Sequence, residues 1–130
     1  MILNQFILEK AVRQTFTDIP SGIGANLSKR HRNAINKAFE RLIENPFISY
    51  ENGKLLILSD SITETGDAKF YETSSKECRL IDPNNVLCHA FWEGFPCWHR
   101  ATLAIVENYF RLVEESASKK TIPTVYIVNT

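Results

Sequence analysis

An excess of charge of either sign is the first thing this sequence lacks, since 15 basic and 15 acidic residues give a net charge of 0. A broad, nonspecific polyanion binder is normally basic, so any contact with nucleic acid must depend on a local patch. The chain also has no apolar run of about 18 residues, and its opening MILNQFILEK has no positive leader or small-residue cleavage site. We therefore expect a soluble, cytoplasmic protein that does not associate with membranes.

Recognisable catalytic patterns are also missing. The sequence has no internal repeat, no glycine-rich phosphate loop and no paired-carboxylate signature, and it offers no set of acid, base and nucleophile. We therefore predict that the protein is not an enzyme and has no small-molecule substrate. Its 130 residues, 44% of them hydrophobic, predict a single globular domain with a real core.

Cysteine is scarce, and its placement is the most informative feature of the chain. All three cysteines lie in residues 78–99, CRLIDPNNVLCHAFWEGFPCWH, with the spacing C-x9-C-x8-C-x-H. Three thiolates and one imidazole are the ligands of a closed tetrahedral zinc site. The sequence thus predicts a structural zinc knuckle with Cys78, Cys88, Cys97 and His99 as ligands. The turn at residues 94–96 places Cys97 just outside the following helix and His99 in its first turn.

The cysteines also admit three other interpretations. Free cysteine behaves as a small hydrophobe, so all three could be core residues. Nothing in the sequence argues for secretion, which makes a disulfide less probable. A thiol nucleophile, pairing Cys97 with His99 or Cys88 with His89, lacks the third group that orients such pairs. The C-x-H at a turn before a helix favours metal binding over these alternatives.

The run C-x-A-F-x-x-G-x-P-C-x-H, followed by an apolar helix, resembles the C-terminal part of a SWIM-type zinc finger. The resemblance covers roughly residues 32–115, and it matches Cys97 and His99 to the family's C-x-H and Cys88 to one cysteine of its C-x-C. The other cysteine of that C-x-C is absent, because positions 86 and 90 are valine and alanine. The fourth ligand is then Cys78 from the preceding strand, or Asp82 or His89 in its place. The resemblance implies a DNA-binding or protein-binding module.

Periodicity and turn residues predict an α+β fold with N-terminal helices, a small antiparallel sheet, the zinc knuckle and a long C-terminal helix. Residues 1–45 form the helical part, 46–115 the SWIM-like β-β-α part and 116–130 a terminal strand or tail. Within these parts we expect helices at 3–16, 29–44 (with Ser28 as N-cap) and 98–115, a hairpin over 47–58 turning at Asn52-Gly53, a loop at 59–67, strands at 68–73, 78–81, 86–91 and 122–128, and a polar break at 116–120.

A local basic concentration lies on the helix predicted for residues 29–44. Its exposed face carries Lys29, Arg30, Arg32 and Lys37, and with Arg100 these are the predicted nucleic-acid contacts; an ordinary solvated helix face is the alternative. Phe91, Trp92, Phe95 and Trp98 crowd the knuckle, and we expect them to shield the metal rather than to stack on bases.

Two functions from different classes follow. One is a non-enzymatic, nucleic-acid-binding regulator or adaptor. The other is a protein-interaction module, or a small inhibitor encoded by a mobile element, in which zinc is purely structural. This second function would use the last strand and the wide apolar face of the long helix, with another protein or a second copy of the chain as partner.

Overall fold

The computed structural model describes residues 3–44, 48–62, 68–82 and 85–119. Their elements, in chain order, are α1 (Gln5–Thr17), α2 (Ala25–Glu44), β1 (Ile48–Glu51), β2 (Lys54–Ile62), β3 (Ala68–Thr73), β4 (Cys78–Asp82), β5 (Val86–Leu87), α3 (His89–Trp92) and α4 (Trp98–Lys119). The predicted α+β class is confirmed. The strand predicted at 122–128 lies outside the described residues. Among the described helices, none is long and apolar enough to cross a bilayer.

The helix predicted at residues 3–16 is present as α1, but it begins two residues later, at Gln5. Asn4 is its N-cap, and the Asn4 side-chain oxygen accepts a hydrogen bond of 3.1 Å from the backbone N–H of Ile7. Four residues at helical spacing form its buried face, namely Leu8, Ala11, Val12 and Thr15. This face packs mainly against α4, so the first and last described helices are in direct contact.

Helix α2 begins earlier than predicted, because Ser28 is not its N-cap. The helix starts at Ala25, directly after Gly24, whose φ of +90° is a conformation that only glycine adopts readily. The backbone N–H of Ser28 already donates to the Gly24 carbonyl at 3.0 Å, which places Ser28 inside the first turn. The glycine break, rather than the serine, therefore sets the start, and the helix ends at Glu44 as predicted.

The sheet is an antiparallel meander of five strands in the order β1-β2-β3-β4-β5. Its first hairpin turns at Asn52-Gly53 with φ values of 52° and 76°, so the predicted turn is confirmed. Strand β2 continues to Ile62 through a register shift after Leu58, which corrects the loop predicted from residue 59. The remainder of that predicted loop, residues 63–67, lies outside the described residues.

Replacing the turn glycine, Gly53→Ala, should lower the free energy of unfolding by about 1–2 kcal/mol, because alanine is strained at positive φ. A Cβ built on Gly53 meets no atom within 4 Å, so the cost comes from the backbone and not from a clash. Urea denaturation measures the change. The control Asn52→Gly keeps a residue that tolerates positive φ and should cost less. A Gly53→Ala protein as stable as the wild type would contradict this assignment of strain.

The strand predicted at 86–91 is largely wrong. Only Val86 and Leu87 pair with β4, and the chain then forms the short helix α3. The Cys88 carbonyl accepts the N–H of Trp92 at 2.9 Å, which closes a helical turn directly after Cys88. The apolar residues at 86–91 favour a strand, but this local hydrogen bond overrides that propensity.

Helix α4 lies at the centre of the molecule. It packs against α1 and α2 and makes smaller contacts with β2 and β3. The core cluster therefore joins both halves of the chain, with Leu8, Ile35, Leu55, Ile105 and Tyr109 among its buried members. The width of the apolar face of α4 is explained by packing within this chain on more than one side.

The end of α4 corrects one further prediction. Residues 116–119 continue the helix, although their polar composition indicated a break. No glycine or proline interrupts SASK, and alanine and lysine favour helix, so the helix has no local reason to stop there.

Candidate metal centre

The three cysteines and His99 converge at the junction between the sheet and α4. Cys78 is the first residue of β4, Cys88 lies between β5 and α3, and Cys97 directly precedes α4. His99 lies in the first turn of α4, as predicted. All four side chains are buried, and one potential ligand atom from each lies within 4.8 Å of all the others. These side chains form a group that could hold a metal ion.

Backbone hydrogen bonds fix the positions of the three thiols. The N–H of Cys88 donates to the Cys78 carbonyl at 2.9 Å, which joins the second cysteine to the strand that carries the first. Cys97 occupies the N-cap position of α4. Its sulfur accepts the backbone N–H of Arg100 at 3.4 Å, and its carbonyl accepts that of Ala101 at 3.1 Å. The sulfur of Cys97 therefore lies at the positive end of a 22-residue helix, which favours a thiolate there.

The spacing of the donor atoms fits a small tetrahedral ion. Bonds of about 2.3 Å to sulfur and about 2.0 Å to nitrogen at a tetrahedral angle put the two atoms about 3.5 Å apart. The Cys88 sulfur and the His99 Nδ1 are 3.7 Å apart. All three cysteines are free rather than paired in disulfides, so each can act as a thiolate ligand.

The thiols strongly perturb one another. Hydrogen bonds with Cys88 and Cys97, followed by burial, raise the pKa of Cys78, whereas hydrogen bonds from Cys78 and Cys97 lower the pKa of Cys88. For Cys97 the hydrogen bond with Cys78 lowers the pKa, but the contact with Cys88 and burial outweigh it, and the pKa rises to about 11. Ionisation of one of these thiols therefore makes ionisation of its neighbours less favourable. A bound cation would remove this conflict by stabilising all three thiolates together.

Aromatic rings hold His99 in place. The ring of Tyr71 stacks on it with centroids 3.8 Å apart and planes 19° apart, and Trp98 lies on it at 4.3 Å. Its Nε2 is buried and has no hydrogen-bond partner among the described residues. Its Nδ1 faces the Cys88 sulfur, so ring packing, rather than a hydrogen bond from Nε2, fixes the imidazole. Sequence reasoning did not assign Tyr71 this role, because a strand residue seven positions before Cys78 carries no local signal of it.

The two alternative fourth ligands have different outcomes. The His89 side chain is 88% exposed, and its Nε2 lies 3.3 Å from a carboxylate oxygen of Glu93, so it is not part of the cluster. The side chain of Asp82 lies outside the described residues. Cys78 is the residue that the structure places beside Cys88, Cys97 and His99.

The aromatic residues of the knuckle do not share one role. Phe91 packs against the cysteine cluster, and Trp98 packs against both His99 and the main core, so these two shield the site as expected. The same prediction is wrong for Trp92 and Phe95, which are 73% and 40% exposed. These two rings face solvent at the tip of the segment from Cys88 to Cys97, which is called the metal-binding loop below.

The predicted basic face is present, and part of it contacts this loop. Lys29, Arg30, Arg32 and Lys37 are all exposed on α2. The guanidinium of Arg30 lies 4.0 Å from the Phe95 ring centroid, and the ammonium of Lys37 lies 5.5 Å from that of Trp98. Within the described ranges, none of these four cations pairs with a carboxylate. The cations are therefore available to an external anion.

Arg100, the fifth predicted contact, is already engaged within the chain. Its side chain donates to the Ser75 carbonyl at 3.0 Å and lies over the Phe91 ring at 5.2 Å. It therefore links the turn between β3 and β4 to the metal-binding loop, and its capacity for further contacts is smaller than that of the α2 residues.

Comparison with protein-family models, with curated proteins and with solved structures found no match to this chain. The geometry and chemistry of the site therefore carry its interpretation, and the resemblance to SWIM-type fingers remains an interpretation of the sequence pattern.

Proposed function

We propose that this chain is a small, non-enzymatic module, similar to a SWIM-type zinc finger, that binds nucleic acid beside a structural zinc ion. Cys78, Cys88, Cys97 and His99 would hold the ion. Thiolate and imidazole ligands suit zinc, which accepts the tetrahedron that the backbone provides. Four protein ligands leave no open position for water, so the ion would cross-link β4, the β5–α3 junction and the start of α4.

The observation that carries the nucleic-acid proposal is the contact between the basic face of α2 and the metal-binding loop. Arg30 and Lys37 lie about two helical turns apart on one side of α2; Arg30 contacts Phe95 of this loop, and Lys37 contacts Trp98 at the start of α4. A chain with a net charge of 0 thus concentrates unpaired cations at the site that the metal would order. Cations in such an arrangement bind phosphates and release counterions from the nucleic acid.

The alternative function as a protein-interaction module receives less support. The apolar face of α4 that suggested it is covered by α1, α2 and the sheet. The other surface that suggested it, the strand at 122–128, lies outside the described residues. The exposed surface that remains beside the metal-binding loop is cationic and aromatic, which favours a nucleic acid.

Charge reversal on α2 tests this function. The triple variant Lys29→Glu, Arg30→Glu, Arg32→Glu should lower the affinity for a labelled oligonucleotide by at least about tenfold near 50 mM salt, and should reduce the slope of log K against log salt by roughly 3. Fluorescence anisotropy across 50–200 mM salt measures both quantities. If the affinity falls but the slope of log K against log salt is unchanged, the loss of affinity does not come from lost phosphate contacts.

A matched control separates local contact from net charge. Lys10→Glu, Arg13→Glu, Lys54→Glu changes the net charge by the same amount at exposed positions on α1 and β2. It should retain most of the affinity. Equal loss in the two triple variants, or no binding by the wild type to single-stranded or duplex DNA or RNA at low salt, would overturn the proposed function.

A further inference from the structure

Two aromatic side chains at the tip of the metal-binding loop lie outside the packed core. Trp92 is 73% exposed and Phe95 is 40% exposed, although both belong to a loop whose other rings are packed inward. Large apolar side chains exposed together on one short loop mark a surface that contacts a partner more often than singly scattered ones do. The exposure of these two rings therefore raises the question of which partner they contact.

Their backbone is fixed rather than free to collapse inward. The N–H of Trp92 donates to the Cys88 carbonyl and that of Phe95 to the Ala90 carbonyl, both at 2.9 Å. Gly94, with a φ of +79°, makes the turn between the two rings, and its N–H donates to the Phe91 carbonyl at 3.0 Å. Because Cys88 belongs to the metal cluster, both rings are held by backbone attached to that cluster. They form a preorganised surface.

The charges around these rings select the chemistry of the partner. The Arg30 guanidinium lies 4.0 Å from the Phe95 centroid, a distance at which it can contact the ring and still direct N–H groups to an anion. Lys37 lies beside the neighbouring Trp98, and the one acidic side chain of the tip, Glu93, is paired with His89. The surface therefore combines apolar ring faces with unpaired cations, which complements a ligand that carries flat rings on an anionic backbone.

We propose that this surface binds single-stranded nucleic acid, with unpaired bases stacked on Trp92 and Phe95 and adjacent phosphates on Arg30 and Lys37. A duplex keeps its base faces stacked inside, so only a single strand, a loop or an end can offer them to these rings. This inference rests on the proposed nucleic-acid function and specifies the form of nucleic acid that is bound.

The test compares one single-stranded oligonucleotide with the duplex of the same sequence. The wild type should bind the single strand more tightly than the duplex. Trp92→Ala should weaken single-strand binding by about 5- to 150-fold, the effect of losing one stacked base, and should leave duplex binding nearly unchanged. Because Trp92 is mostly exposed, this variant should fold and keep its metal, which elemental analysis checks.

Phe6→Ala is the matched control. Phe6 is 64% exposed on α1, and Lys10 lies 4.6 Å from its ring centroid. It therefore offers the same combination of an exposed ring and a nearby cation. The start of α1 lies beside the middle of α4 and not beside the metal ligands at its first turn, since Asn4 contacts Tyr109. This variant should bind the single strand within about twofold of the wild type, since it removes no ring from the metal-binding loop and should cost none of the stacking energy.

Tryptophan fluorescence gives a second readout, because it reports base stacking on the ring, which an affinity alone does not. The chain has two tryptophans, and Trp98 is packed against the core. Stacking of a base on Trp92 should quench its emission when the single strand is added. Trp92→Phe keeps an aromatic ring at the surface, so it should retain most of the binding but lose most of the quenching.

The outcomes distinguish the two proposals. If single strand and duplex bind equally and Trp92→Ala binds as the wild type does, while charge reversal on α2 abolishes binding, the proposed function stands and the stacking inference fails. If no oligonucleotide binds at 50 mM salt, both fail. If sedimentation shows a dimer that Trp92→Ala converts to monomer, the surface is a contact between copies of this chain and the inference is overturned.

Discussion

Removal of the metal ion is expected to unfold the region from Cys78 to His99 and to destabilise the whole chain. Structural zinc contributes about 10–16 kcal/mol of apparent binding free energy in finger peptides, whereas whole domains are stable by only about 5–15 kcal/mol. Without the ion, three buried thiols and an imidazole would remain in one small volume with no cation to bind them. Burial of polar groups without compensation is costly, so this region should open.

Elemental analysis of the reduced protein should find one zinc per chain. The variants Cys78→Ser, Cys88→Ser, Cys97→Ser and His99→Ala should each lose it. The near-ultraviolet circular dichroism should fall at the same time, because Tyr71 stacks on His99 and the tilted ring of Trp98 contacts it. Titration with a chelator should reproduce the change in the wild type.

His89→Ala is the matched control, since this histidine is adjacent in sequence to Cys88 but lies outside the cluster. It should retain the metal and the dichroism signal. Retention of zinc by the Cys78→Ser variant would contradict the proposed ligand set. A chain that contains no metal and resists chelators would contradict the zinc proposal as a whole.

The second large effect is expected from Tyr109→Ala, which should lower the free energy of unfolding by about 3–5 kcal/mol. Tyr109 is the largest fully buried side chain among the described residues, and its ring contacts that of Phe110 edge-on. Its hydroxyl accepts the backbone N–H of Asn4 at 2.7 Å, which joins α4 to the cap of α1. Truncation would therefore leave a cavity where the first helix meets the last.

Urea denaturation with excess zinc and a reductant measures this loss without the metal site as a variable. Tyr109→Phe, which removes only the hydroxyl, should cost about 1 kcal/mol, the net value of one hydrogen bond. Phe6→Ala, at an exposed position, should stay within about 0.5 kcal/mol of the wild type. Stability of Tyr109→Ala within 1 kcal/mol of the wild type would show that this residue is not part of the common core.

Local rules account for the parts of the fold that the sequence predicted. Asn52-Gly53 sets a two-residue turn because both positions need positive φ, and the structure shows both. The Gly-Phe-Pro turn places Cys97 before α4 and His99 within it for a similar reason, since Gly94 adopts a φ of 79° and proline fixes its own φ. Such signals lie within a few residues of the structure that they determine.

Contacts between distant segments could not be predicted in this way. Two local features were also missed, because the conformation of Gly24 starts α2 early and a hydrogen bond after Cys88 forms α3 from residues with the composition of a strand. The exposure of Trp92 and the stacking of Tyr71 on His99 depend on how the sheet, the metal-binding loop and α4 fit together. An aromatic residue looks the same in a sequence whether it is buried or exposed, so only the folded arrangement separates the two roles.

The pairing of α1 with α4 has a consequence for the order in which the molecule can be completed during translation. Asn4 and Tyr109 are 105 residues apart, so at about 5–20 residues per second their contact must wait roughly 5–20 s after the first is synthesised. The sheet can form without such a delay, since each of its strands pairs with the next one in the chain. The apolar faces of α1 and α2 therefore remain uncovered on the ribosome until the metal ligands and the helix that follows them have emerged.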